Sequence, residues 1–225
     1  AESVSLALEG EYRDLSLKAE DNQSGFDNLS IMLKYAPVRN PAHEFIFSFA
    51  FEVAPPTGDR GVGATKNAVL APLALLGKGF GDLPQPLSLL RPFAVMGDAG
   101  FEFPVTRNAS DNDVFAYDLL LTYSLSYLES RVWNLGIPPV LDDLNPVVEF
   151  NFETVLNGPD RQTAVRVTPG LVYLGRYAEL GVAGQFPLNN AADTELDWGI
   201  LGIIDIFYDD LFEALGKWQP FSGLW

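Results

Sequence analysis

Carboxylates are the reactive groups this sequence holds in quantity: 30 Asp and Glu face 14 Lys and Arg, giving a formal charge of −16, with one histidine and no cysteine. Without thiols there is no disulfide or thiolate chemistry, and His43 as the single histidine argues against most zinc sites and against a Ser-His-Asp triad. His43 has no Ser or Cys nucleophile placed beside it and reads as a solvated turn histidine. Carboxylate pairs suit general acid and base work, but adjacent strands of any acidic barrel supply them without glycosidase chemistry, so no enzyme is expected. Such a charge repels nucleic-acid phosphates, which removes nucleic acid as a partner. "GKGFG" (77–81) and "GVGATK" (61–66) resemble phosphate loops without the GxxxxGK[ST] order. "NASDND" (108–113) and "DTE" (193–195) could hold Ca²⁺ but lack the spacing of a calcium loop. No metal and no cofactor are therefore expected.

What the carboxylates can do depends on the elements that carry them. In "HEFIFSFAFE" (43–52) a phenylalanine occupies every second position, so on a strand Phe45, Phe47, Phe49 and Phe51 share one face while Glu44 and Glu52 share the other. "NLSIMLKY" (28–35) alternates in the same way. "DVFAYDLLLTYSLSY" (113–127) sets Phe115, Tyr117, Leu119, Leu121, Tyr123, Leu125 and Tyr127 on one face, a run longer than an average soluble strand and long enough to cross a bilayer when tilted. Seven further alternating segments cover 3–17, 67–78, 89–104, 146–156, 163–174, 176–187 and 195–208. The fold class expected is all-β: an antiparallel transmembrane β-barrel of about ten strands, with Phe45, Phe47, Phe49, Phe51, Leu119 and Leu121 facing lipid. Parity slips inside 3–17, where Leu6, Leu8 and Tyr12 share a face that Leu15 and Leu17 leave. A bulge near Arg13-Asp14 would explain this, and a tight hairpin there would raise the strand count towards twelve.

Residues 1–225 read as one barrel domain, and "AESVS" at the start suits a mature exported chain. Five connections, 18–26, 54–66, 105–112, 157–162 and 188–194, are rich in Asp, Asn, Gly and Pro and are expected to be extracellular. The alternate set is expected on the periplasmic side, with a helical connection at 129–145 and a periplasmic tail at 209–225. In the former, Trp133, Leu135, Ile137, Val140 and Leu141 form an apolar side that lies on the membrane surface or packs on the barrel mouth. Trp198 and Tyr208 stand near the two ends of the last strand and Tyr127 near the end of another, as interface girdles do.

The opposite faces then form the lumen, with Glu52, Asp98, Asp118, Glu149 and Arg166 at its central positions. Arg13, Lys34, Lys78 and Arg91 are expected on the same side. Two readings stand: a polar network that plugs and stiffens the barrel, or a narrow aqueous path whose acids favour cations. They correspond to a closed scaffold for a periplasmic or outer-membrane partner and to a channel or transporter for a small hydrophobic or cationic solute. A soluble lipocalin-like binder, with its aromatic face turned inward, is a third. Outer-membrane lipid and lipopolysaccharide are the expected surroundings, the latter bridged to external carboxylates by divalent cations; a homo-oligomer or another membrane protein could pack on the apolar exterior.

At "FGDLP" (80–84), "LRPFAV" (90–95), "YSLSYL" (123–128), "NPVVEFNFET" (145–154), "VTPGLVYLG" (167–175), "VAGQFPLN" (182–189) and "FYDDLF" (207–212) the chain resembles uncharacterised proteobacterial outer-membrane proteins, a group similar to the transporters associated with the meta-pathway of phenol degradation. The resemblance covers most of the chain from about residue 26. It implies an outer-membrane β-barrel with a transport role and carries no binding residues.

Overall fold

Alternation of apolar and polar residues leaves each segment with one face for an apolar solvent and one for a polar interior, and closing the sheet satisfies every strand edge. In the computed structural model, which describes residues 4–16, 21–106, 112–157, 161–175, 178–194 and 196–206, the sequence does close. Its strands are β1 (Val4–Ser16), β2 (Gln23–Phe26), β3 (Ser30–Asn40), β4 (Phe45–Ala54), β5 (Val69–Gly79), β6 (Phe93–Pro104), β7 (Val114–Tyr123), β8 (Leu144–Val155), β9 (Thr163–Leu174), β10 (Ala178–Pro187) and β11 (Trp198–Ile206). All neighbours are antiparallel, and β1 pairs with β11 from Leu8↔Ile206 to Ser16↔Trp198, which seals the ring. Short β2 prolongs the line of β3 along the same edge of β1, so the barrel has ten strands.

The first strand has no parity slip. β1 stays in register with β11 throughout, so there is neither a bulge at Arg13-Asp14 nor an added hairpin. Leu15 keeps the inward parity of Glu9, Glu11 and Arg13 and is buried against Val62 and Leu196. The extra residue lies on the partner: Tyr12 pairs with Phe26 but Glu9 with Ser30, so Asp27–Leu29 form a bulge. A second irregularity falls between Tyr35 and Val38, at Pro37, which has no amide proton to give the ladder.

The outward face carries the apolar side chains. Phe49 and Phe51 are exposed, as are Leu119, Leu121, Leu33, Val182 and Ile204. Phe47 packs edge-on against Phe49 at 5.0 Å, and Phe45 continues the row to the strand's start. Trp198 is likewise exposed at the start of β11, whereas Tyr208 and the 209–225 tail lie outside the described residues. Tyr127 is not a girdle residue. Ser124 accepts from the Tyr127 amide at 3.3 Å and ends β7 at Tyr123, short of the expected 127, and the ring lies against Gly81. Tyr123 takes the position at the end of the strand, in an edge contact with Phe93 at 4.7 Å.

The 129–145 connection is only partly helical. A turn at Leu125–Tyr127 runs into a π-turn at Leu128–Val132, then an extended stretch, then a short helix at Pro139–Asp142, and β8 has already begun at Leu144. Pro138 and Pro139 stop any longer helix, and Glu129 instead accepts from the amides of Leu135 (2.7 Å) and Gly136 (3.2 Å). Trp133, Leu135 and Leu141 remain exposed. Among the described residues no helix is long and apolar enough to cross a membrane, a criterion that does not bear on strands.

Candidate functional site in the barrel lumen

Inward positions of neighbouring strands meet in rows across the wall. One row runs Ser48, Leu75, Asp98, Asp118, Asn151, Arg166, each paired with the next. The row below runs Ile46, Gly77, Met96, Leu120, Glu149, Thr168. Asp98 and Asp118 are therefore directly opposed like charges, a pairing that destabilises a sheet unless water or a cation intervenes. Asn151 relieves one side of it, donating to Asp118 Oδ1 at 3.0 Å while its own oxygen accepts from the Thr168 hydroxyl at 2.7 Å. Arg166 pairs with Glu153 at 2.9 Å one row higher.

Two chambers formed in the lumen by the described residues share Leu75, Asp98, Asp118 and Glu149. The larger, about 970 Å³, is lined by nine carboxylates (Glu9, Glu11, Asp27, Glu52, Asp98, Glu102, Asp118, Glu149, Glu153) and three guanidinium groups (Arg13, Arg60, Arg166). All five residues singled out from sequence, Glu52, Asp98, Asp118, Glu149 and Arg166, line it. Interleaved with the acids of β4–β7, Ala54, Val69, Ala71, Leu73, Gly100, Val114 and Ala116 also line it. The smaller chamber, about 290 Å³, lies towards the end where the chain starts and is lined by Lys34, Ile46, Ser48, Met96 and Leu120 besides the shared residues. Among the described residues no three acids or histidines approach closely enough to hold a metal ion, and the segments 108–113 and 193–195 fall partly outside that set.

The end of the large chamber away from the chain start is narrowed by the β4–β5 connection, which folds inward. Asp59 opens a tight turn at Arg60–Val62 by accepting from the Gly61 amide at 2.8 Å, and Gly63 closes it at φ +92°, a conformation that favours glycine. Val62 is 1% exposed, pressed on Leu15 and Leu196. The turn is tethered to the bulge after β2: Asp59 N donates to Phe26 O (2.7 Å), Gly58 N to Asn28 Oδ1 (2.9 Å), and Asn28 Nδ2 to Thr65 Oγ1 (2.7 Å). Arg13 joins wall to turn, pairing with Glu11 (2.9 Å) and Asp27 (2.6 Å) and donating to Val62 O (3.4 Å). A second connection closes from the side, where Asn189 caps a turn at Asn190–Asp193 that buries Ala192.

Sequence reading placed 54–66 among plain polar loops and missed this inward turn. The signal was present: in "GDRGVGATK" one apolar residue sits between glycines, and the motif that resembles a phosphate loop serves a tight turn instead. Two basic residues expected in the lumen are elsewhere. Lys78 has the outward parity of Leu76 and clasps the end turn, bonding Asp82 (3.0 Å), the His43 carbonyl (2.6 Å) and the Gly79 carbonyl. Arg91 follows a 3₁₀ turn and braces it by donating to Leu83 O at 2.7 Å. His43 Nδ1 meets Asp82 at 3.1 Å, and with Lys78 it holds the Asp82 carboxyl below the usual carboxylate range.

A closed antiparallel barrel with a polar lumen and an inturned connection defines the porin-like class of fold. No protein-family profile and no curated protein matches the chain. Among solved structures the NanC porin in a rhombohedral crystal form is similar, with a TM-score of 0.50 and 10% identity over 90% of this chain and 98% of that one. At that identity the likeness concerns the fold alone.

Proposed function

We propose that this barrel lies in the outer membrane of a Gram-negative bacterium, both termini periplasmic, and passes a small cationic solute. The observation that carries the reading is the lining of the large chamber, nine carboxylates against three guanidinium groups, continuous with the lower chamber through the Asp98, Asp118 and Glu149 belt. An excess of fixed negative charge in a narrow low-dielectric tube raises the local cation concentration and turns anions away. The outward apolar face supports the membrane location, and the porin-like fold supports a channel without naming a substrate. Lipid and lipopolysaccharide as surroundings, a hydrophobic solute as the resemblance to the phenol-pathway transporters suggests, and association with a second copy or another membrane protein belong to the same proposal. The test is the reversal potential of the refolded protein in a planar bilayer under a salt gradient. A cation-selective potential that falls in Asp118→Asn and Glu149→Gln supports the reading; anion selectivity overturns it.

A second reading is favoured by the seating of Val62: an inturned side chain only 1% exposed is a stopper as much as a constriction. On it the barrel is closed and scaffolds a partner. Silent bilayers from a heat-modifiable, folded protein would favour this reading.

A further inference from the structure

The lower chamber has a charge arrangement that a plain cation path does not need. Lys34 on β3 stands five strands from Glu149 on β8, hence on the opposite wall of the ten-strand ring. Its ammonium makes no ion pair among the described residues, although three carboxylates line the same space. Beside it, Ser48 is 3% exposed, points inward on β4 and lines the chamber, yet its hydroxyl has no hydrogen-bond partner among the described residues. A buried hydroxyl without a partner costs on the order of 1–3 kcal/mol, so such groups as a rule await water or a ligand. Between the Lys34–Ser48 wall and the Asp98, Asp118 and Glu149 wall the lining is apolar: Ile46, Leu75, Met96 and Leu120. At about 290 Å³ the space is at the lower end of volumes that hold small-molecule ligands.

Resting on the channel reading above, we propose that this chamber is a binding site for a small zwitterion with an apolar body, an amino acid of the leucine or phenylalanine kind. Its carboxylate meets Lys34 and the Ser48 hydroxyl, its ammonium meets the Asp98, Asp118 and Glu149 wall, and its side chain lies over Ile46, Leu75, Met96 and Leu120. A simple amine would leave Lys34 unpaired and repelled, and a simple acid would face the carboxylates, so both are selected against.

Three probes with the same ring separate these cases: phenylalanine, phenethylamine and 3-phenylpropionate, each added to a single channel in a planar bilayer. Phenylalanine is expected to block the current at a concentration about tenfold lower than either relative, the discrimination one well-placed charge pair supplies. In Lys34→Met that advantage passes to phenethylamine, and in Ser48→Ala the phenylalanine block weakens several-fold. Ion steps that phenethylamine blocks as well as phenylalanine does, or that no probe alters, overturn the site while leaving the cation path intact. If no steps occur, titration calorimetry of the detergent-solubilised protein with the same probes decides: heat for phenylalanine alone sustains the site and ends the channel reading, and no heat ends the site.

Discussion

Removing Arg13 should weaken the barrel and open it in one step. Its guanidinium is 30% exposed and pairs with Glu11 and Asp27, each 20% exposed, at 2.9 and 2.6 Å, with a longer bond to Val62 O at 3.4 Å. Each charge-assisted hydrogen bond contributes about 1.5–3 kcal/mol, and breaking a fully buried pair costs about 3–5 kcal/mol. Partial hydration argues for the low end, and the 3.4 Å bond adds little, so Arg13→Met should cost about 3 kcal/mol, most of it from two carboxylates left facing each other. In a Glu11→Gln, Asp27→Asn background the same change should cost about 1 kcal/mol or less, because no charge is stranded. Urea unfolding in lipid vesicles, followed by heat-modifiable gel mobility, gives both numbers. Because the Arg60–Val62 turn loses the Arg13 hydrogen bond to Val62 O and keeps the apolar contact of Val62 with Leu15 on β1, the single variant should also show larger or noisier conductance steps. Equal costs in the two backgrounds would refute the argument that Arg13 acts through those two carboxylates.

Gly58→Ala should dislodge the same turn from its other side: a methyl there would come within 2.5 Å of the Asn28 backbone nitrogen, and overpacking of this kind costs about 1–3 kcal/mol, read as a lower urea midpoint with unchanged slope. Phe49→Arg, placed mid-strand on the outer face, should cost about 2–4 kcal/mol in lipid and far less in detergent, where equal costs would argue against a lipid-facing position. The Asp82 clasp should be pH-dependent with a definite sign. A carboxyl held below its ordinary 3.8 by His43 and Lys78 adds stability above that value and loses it as pH falls further, so amides of 43–45 and 79–83 should exchange faster below about pH 4, and Asp82→Asn should remove the difference. Identical protection at pH 3 and pH 6 in the parent would contradict this.

Most of the wall was legible because alternation over eight or more residues has one structural meaning. β9 falls on the segment read from sequence, and the inward positions Glu52, Asp98, Asp118, Glu149 and Arg166 follow from parity once the aromatic face is known. Leu15 read as slipped because it is apolar yet inward, covered by Val62 and Leu196 from distant connections, while the extra residue lies on the partner at Asp27–Leu29. Parity fails at strand ends, where capping decides. Ser124 turns Tyr127 away from the girdle, and Lys78, near the turn-side end of its strand, folds onto Asp82 four residues on. The inturned 55–65 connection needed long-range partners, Asn28, Arg13 and Leu196, each distant in sequence and close only after closure. Parity placed Lys34 and Ser48 on the inner wall, but that the Ser48 hydroxyl has no partner among the described residues is a fact about neighbours, which no local pattern carries.

The central claim is that fixed carboxylates in the lumen govern what passes. The most direct test is single-channel reversal potential under a tenfold salt gradient, compared between the parent and an Asp98→Asn, Asp118→Asn, Glu149→Gln triple variant. Cation selectivity in the parent that collapses towards neutrality in the variant, with the barrel still heat-modifiable, is the result the account predicts. Open steps with the same selectivity in both proteins would contradict it.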